Sequence, residues 1–157
     1  MQGWSTGVTR RSFLATGGAG VIASVATRPL AAAQPTAAEQ SNIAAVNDFC
    51  ATFVVPMDWG RMASFLAADC KFRGSQTLPM VEGPDAIVEF LKGFAGNATA
   101  MSFEVFDTWA KGPVVINHRV DKFELPQNNI EATVIGVFYL VNGKIAEWTD
   151  YVSDPVA

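Results

Sequence analysis

Side chains that usually announce a metal centre or a covalent nucleophile are scarce in this chain. Its 157 residues contain one histidine, His118, and two cysteines, Cys50 and Cys70, with no Cys-x-x-Cys pair. Zinc sites are built from clusters of these residues, so no metal ligand set is expected. Tyrosine is nearly as rare, and only Tyr139 and Tyr151 could bring a phenol to an oxyanion site. Charged residues make up 17% of the chain without any basic stripe, which argues against a nucleic-acid partner. No apolar run is long or strong enough for a stable membrane anchor. What the chain does have is hydrophobic bulk: half of it is apolar and 11% aromatic. That composition fills a core, and it equally lines an enclosed pocket.

Charge is divided unevenly along the chain. All 15 acidic residues follow Ala33, whereas Arg10, Arg11 and Arg28 precede it. Thr9-Arg10-Arg11-Ser12-Phe13-Leu14, a Gly/Ala-rich apolar stretch and Leu30-Ala31-Ala32-Ala33 together resemble a twin-arginine export signal with a small-residue cleavage site. Residues 1–33 are therefore expected to be a signal directing export to the periplasm or beyond. Residues 34–40 are expected to be a disordered lead-in, and residues 41–157 a single domain. Past Ala33, 8 basic residues stand against 15 acidic ones, a charge of −7. Oxidation outside the cytoplasm would allow a Cys50–Cys70 disulfide. Export in the folded state favours two buried free thiols.

Residues 41–55 repeat apolar side chains at helical spacing, with Ser41 as cap and Pro56 as stop. Asp58 is placed to cap a second short helix over residues 59–68. Residues 69–73 read as a short strand with Cys70 and Phe72 on one face. A loop follows, unusually apolar at Leu78-Pro79-Met80-Val81, and Gly83-Pro84-Asp85 opens a third helix. The remainder is strand-like, over residues 101–110, 114–125, 130–141 and 144–152. This order implies an α+β domain: a curved mixed sheet wrapped around a pocket and covered by about three helices.

Two of these strands carry the candidate chemistry. On the 114–125 strand, Asn117, Arg119, Asp121 and Phe123 share a face, with His118, Val120 and Lys122 opposite. Arg119 and Asp121 are thus neighbours able to pair. Asn142-Gly143 marks a two-residue hairpin turn. Counting back from it sets Ile135 opposite Asp150 and Val137 opposite Trp148. Ile135, Val137, Trp148 and Asp150 are therefore expected on the pocket face, with Phe138 and Leu140 turned away. A carboxylate on so apolar a face needs a cation or a proton, and Arg119 is the candidate partner.

The whole arrangement resembles the nuclear-transport-factor-2-like cone. Within it, His118-Arg119-Val120-Asp121, Gly136-Val137-Phe138 and Trp148-Thr149-Asp150-Tyr151 after the Asn142-Gly143 turn look like limonene-1,2-epoxide hydrolases. The resemblance spans essentially all of residues 41–157. It implies a hydrolase that opens a small hydrophobic epoxide to a diol in one step, without metal or organic cofactor. It further implies Asp121 as general acid, Asp150 as general base and Arg119 bridging both. Trp148, Ile135, Val137 and Phe72 would line the pocket, and the protein would form a homodimer, with Phe138 and Leu140 at the interface.

One departure is conspicuous. The family holds its attacking water with a Tyr and an Asn on the short strand, where this chain reads Phe72-Arg73-Gly74-Ser75. Either Phe72 and Gly74 or Arg73 and Ser75 take those places, and Ser75 or Asn117 could substitute. Ketosteroid-isomerase-like or polyketide-cyclase-like chemistry on the same cone is an alternative, as is a non-catalytic binding domain for an apolar molecule.

Overall fold

The computed structural model describes residues 34–153, so the expected export signal lies outside the described residues. The first helix, α1 (Ala37–Cys50), begins earlier than the apolar periodicity suggested. Thr36 caps it: the Glu39 amide donates to the Thr36 hydroxyl at 3.2 Å, and the Thr36 amide donates to Glu39 Oε2 at 2.7 Å. This reciprocal box satisfies backbone donors that the first turn cannot pair within the helix. Residues 37–40 are thus helical rather than a disordered lead-in. Glu39 Oε1 also accepts the Gly112 amide at 2.9 Å, tying the helix start to a distant turn.

Asp58 caps the short α2 (Trp59–Ala63) by accepting the Arg61 amide at 2.9 Å. The expected helix over residues 59–68 stops here because Leu66–Arg73 is already strand β1. Pairing of Leu66, Lys71, Phe72 and Arg73 with the last strand outweighs the strong helix preference of Ala67 and Ala68. After β2 (Val81–Glu82) comes α3 (Pro84–Ala95), with Pro84 in its first turn and Ile87, Leu91 and Ala95 buried. Strands β3 (Ala100–Lys111), β4 (Val114–Glu124), β5 (Asn129–Val141) and β6 (Lys144–Val152) complete the chain. The sheet order is β2-β1-β6-β5-β4-β3, antiparallel except where β1 runs parallel to β6. This is the curved mixed sheet expected of the cone.

Asn142 (φ 51°) and Gly143 (φ 74°) both take positive φ, as a tight hairpin turn requires. The register beyond it departs from a simple count. Leu140 pairs with Ile145 but Tyr139 pairs with Glu147, leaving Ala146 as an extra residue, a β-bulge. From there Phe138 lies opposite Trp148 and Gly136 opposite Asp150. The expectation for β5 is therefore corrected: Val134, Gly136, Phe138 and Leu140 face inward, while Ile135 (39% exposed) and Val137 lie on the outer face. Phe138 and Leu140 are core residues and offer no outer interface.

The interior joins Val46 and Phe49 of α1, Ile87 of α3, and Val115, Phe138, Ile145 and Trp148 of the sheet, all at most 1% exposed. Each such side chain contributes about 1.5–3 kcal/mol by leaving water. Phe49 packs edge-on against Phe53, Phe138 and Trp148 at 5.0–6.1 Å. Cys50 and Cys70 are both buried and free. Burial pushes their thiols up, to about 11 and about 12, the latter aided by Asp69 and Glu147.

Candidate active site

Alternation along β4 turns Asn117, Arg119, Asp121 and Phe123 into the interior, and all four are buried. Arg119 is wholly inaccessible, yet every nitrogen of its guanidinium has a partner. Nε donates to Asp121 Oδ1 at 2.7 Å and Nη2 to Asp121 Oδ2 at 3.1 Å. Nη2 also donates to Asp150 Oδ2 at 2.7 Å, and Nη1 to Asn117 Oδ1 at 3.0 Å. The guanidinium carbon lies 4.6 Å from the Phe103 ring centre, a cation–π contact on its flank. A planar fork supplies the four donated bonds in fixed directions, one more than the three donors of an ammonium.

Gly136 makes room for this arrangement. It sits across from Asn117 on one side and Asp150 on the other. A β-carbon there would collide with Arg119 Nη1 and would lie 2.6 Å from Asn117 Oδ1 and 2.8 Å from the Phe138 ring. A mid-strand glycine of this kind marks close approach by a neighbour. Asn117 is anchored in turn, its amide donating to Cys50 Sγ at 3.3 Å. Asp150 gains a second donor from its own strand: Trp148 Nε1 donates to Asp150 Oδ1 at 2.7 Å.

Three buried charges, two of them negative, cannot all be comfortable. Burial raises Asp121, to about 6, and the nearby Asp150 adds to it, against the lowering pull of Arg119. Burial likewise raises Asp150, opposed by Arg119 and the Trp148 hydrogen bond. Arg119 moves upward too: its own burial favours losing the proton, but Asp150 and Asp121 together overcome that. The three shifts describe one situation. The cation stays charged, and each carboxylate takes up a proton more readily than an exposed one because a single cation serves both.

Both carboxylates open onto a cavity of about 250 Å³. Its walls come from β1, α3 and the sheet, and include Phe53, Phe72, Phe90, Phe103, Phe123 and Trp148. Phe53 stacks on Phe103 at 3.8 Å. Of the expected pocket residues, Trp148 and Phe72 line the cavity; Ile135 and Val137 do not, because the bulge reverses their face. On the short strand, Phe72 and Gly74 face the cavity, not Arg73 and Ser75. Neither suggested substitute reaches it. Ser75 Oγ lies with Thr77 Oγ1 at 3.2 Å in an exposed loop, and Asn117 is committed to Arg119 and Cys50. Among the described residues no cluster of three His, Cys, Asp or Glu side chains could hold a metal ion.

A curved mixed sheet closed by helices over an Asp-Arg-Asp set defines a cone-fold domain with two buried carboxylates bridged by one arginine. The family model for the limonene-1,2-epoxide hydrolase catalytic domain matches residues 40–154, and the chain belongs to that family. Among solved structures, an LEH-like epoxide hydrolase of M. tuberculosis is similar at 21% identity and a TM-score of 0.65, covering 73% of this chain and 84% of that one. A chain named as a SnoaL-like polyketide cyclase from Shewanella putrefaciens matches at 14% identity and a TM-score of 0.65, covering 71% and 88%. One named as a ketosteroid isomerase from Kribbella flavida matches at 17% and 0.61, covering 76% and 82%. At these identities the structures speak for the shared fold alone.

Proposed function

We propose that this domain is a cofactor-independent epoxide hydrolase that converts a small hydrophobic epoxide to a diol in one step. The observation that carries the reading is Arg119 bonded at once to Asp121 and Asp150 at the wall of an apolar cavity. Opening an epoxide needs a proton at oxygen as a nucleophile reaches carbon, and two carboxylates sharing one proton can divide those roles. Asp121 is assigned the acid. A proton on its Oδ2 gives up only the 3.1 Å bond to Nη2, the longest of the four carboxylate contacts in the set. Asp150 is assigned the base, because two 2.7 Å bonds, one to each oxygen, support its anion. Water held at a remaining lone pair of Asp150 would then attack the epoxide carbon.

Ketosteroid-isomerase-like chemistry wants a phenol at the oxyanion, and here Tyr139 (44% exposed) and Tyr151 (50% exposed) stand on the outer face. The hydrolase reading predicts that Asp121→Asn and Asp150→Asn each lower kcat by about 10²–10⁴ with the fold preserved, by analogy with lost general acid–base catalysis. The check is diol formation from a panel of apolar epoxides, with circular dichroism as control for folding. In single turnover in heavy-oxygen water, label should enter the diol at once. Unlabelled diol from the first turnover would mean a carboxylate ester intermediate and end this mechanism.

A further inference from the structure

Resting on the epoxide-opening reading above, we propose that the same cavity also isomerises aryl epoxides to arylacetaldehydes, through a 1,2-hydride shift that competes with attack by water. The walls give water little to bind. Apart from Asp121 and Asp150, the lining residues carry no hydroxyl, amide or imidazole. The other polar side-chain groups there are the indole N–H of Trp59 and that of Trp148, and the latter is committed to Asp150 Oδ1. Phe72 and Gly74, which line the cavity at the end of β1, bring no hydrogen-bonding side chain to it.

What the walls do offer suits a cation. Phe53, Phe72, Phe90, Phe123 and Trp148 border the space that the carboxylates face, and aromatic rings attract positive charge through their faces. The site's own charge changes in the same sense. While Asp121 is protonated, Arg119 and Asp150 balance. Once the proton passes to the epoxide, two carboxylates face one guanidinium, a net charge of −1 beside the reacting carbon.

The step balances without any co-reactant. Asp121 protonates the epoxide oxygen, and the bond from oxygen to the aryl-bearing carbon breaks, its electron pair leaving with oxygen. A hydride then migrates with its bonding pair from the oxygen-bearing carbon to the cationic one. The C=O double bond forms as the hydroxyl proton returns to Asp121. No water is consumed, and Asp150 accepts no proton. The diol channel, by contrast, requires Asp150 as base, so the two channels part at that residue.

The test uses the purified full-length chain and styrene oxide deuterated at both terminal positions, with products read by NMR and mass spectrometry against a buffer blank. Diol and phenylacetaldehyde should both exceed the blank, with one deuterium on each side-chain carbon of the aldehyde. Asp121→Asn should lose both products. Asp150→Asn should lower aldehyde modestly, because one negative charge beside the cation is gone, and diol far more, because its base is gone, raising the aldehyde-to-diol ratio on the order of tenfold. Diol alone, with aldehyde at blank level, overturns the isomerisation and leaves the hydrolase standing. Loss of the migrating deuterium beyond the solvent exchange of authentic α-deuterated phenylacetaldehyde in the same buffer overturns the hydride shift, and aldehyde that falls in step with diol in Asp150→Asn overturns the separate channel. Neither product, from this or any aliphatic epoxide, removes both readings together.

Discussion

Glu39 and Asp121 are both nearly inaccessible carboxylates with basic neighbours, yet they titrate in opposite directions. Glu39 is held down to about 2, first by the Gly112 backbone N–H, then by Thr36, with Lys111 assisting at 3.6 Å. Asp121, bonded through two contacts to an arginine, is pushed up to about 6. The difference lies in how many anions each donor set must serve. Glu39 has backbone donors to itself at the rim of the fold, with no rival carboxylate among the causes of its shift. Asp121 shares its cation with Asp150 inside an apolar cavity. A carboxylate with donors of its own is stabilised as an anion, whereas one that shares a buried cation takes up a proton more readily.

Several substitutions would break or sharpen that contrast. The largest effect on stability is expected from Arg119→Met, which leaves two carboxylates buried without their cation. Removing one partner from a buried ionic set costs about 3–5 kcal/mol, and chemical denaturation should read that loss. Gly136→Ala should come next, at about 1–3 kcal/mol, because overpacking must displace the guanidinium, the Asn117 amide or the Phe138 ring. It should also lower kcat, since the displaced group orients both carboxylates.

The pH dependence separates the two regions by sign. Asp121 rises from 3.8 to about 6 on folding, so its contribution to stability is full below 3.8 and is lost as pH climbs through 6. Turnover that uses its proton should decline over the same upper range, which a pH–rate profile would show. Glu39 falls from 4.5 to about 2, so its contribution is full above 4.5 and is lost as pH drops toward 2. The smallest effect is therefore expected from Glu39→Gln. Its melting temperature should dip slightly at neutral pH, and the acid-side loss of the parent protein should flatten.

Much of this was legible in the sequence, because it rested on alternation. Asn117, Arg119, Asp121 and Phe123 face one way for the same reason that any strand alternates, and a lone carboxylate on an apolar face already pointed Asp150 to Arg119. The Asp58 cap and the Pro84 helix start were similarly local. The failures share one cause: information held by a partner strand. Ile135 and Val137 were assigned to the pocket by counting from the turn, and no local feature of Lys144-Ile145-Ala146-Glu147 announces that Ala146 drops out of the ladder. Leu66 looked helical until its pairing with Ile145 was known. The Thr36–Glu39 box was readable as Thr-x-x-Glu but lay hidden in a polar, alanine-rich segment. Sequence reasoning missed the room Gly136 makes, the bond from Arg119 to Asn117 and the bond from the Trp148 indole to Asp150. A glycine inside a strand, and polar or indole groups two positions from a charged residue, were the signals that could have found them.

The extra residue at Ala146 sets the phase of everything downstream on β6. With the turn fixed at two residues, an uninterrupted ladder would put Glu147 opposite Phe138 and send Trp148 and Asp150 outward, given that β5 keeps its inward face. The proposed base therefore faces the cavity through an odd-numbered insertion rather than through its own chemistry. The outward positions of this hairpin can vary in composition, but changes in its length act like frameshifts, restoring the site only in even steps.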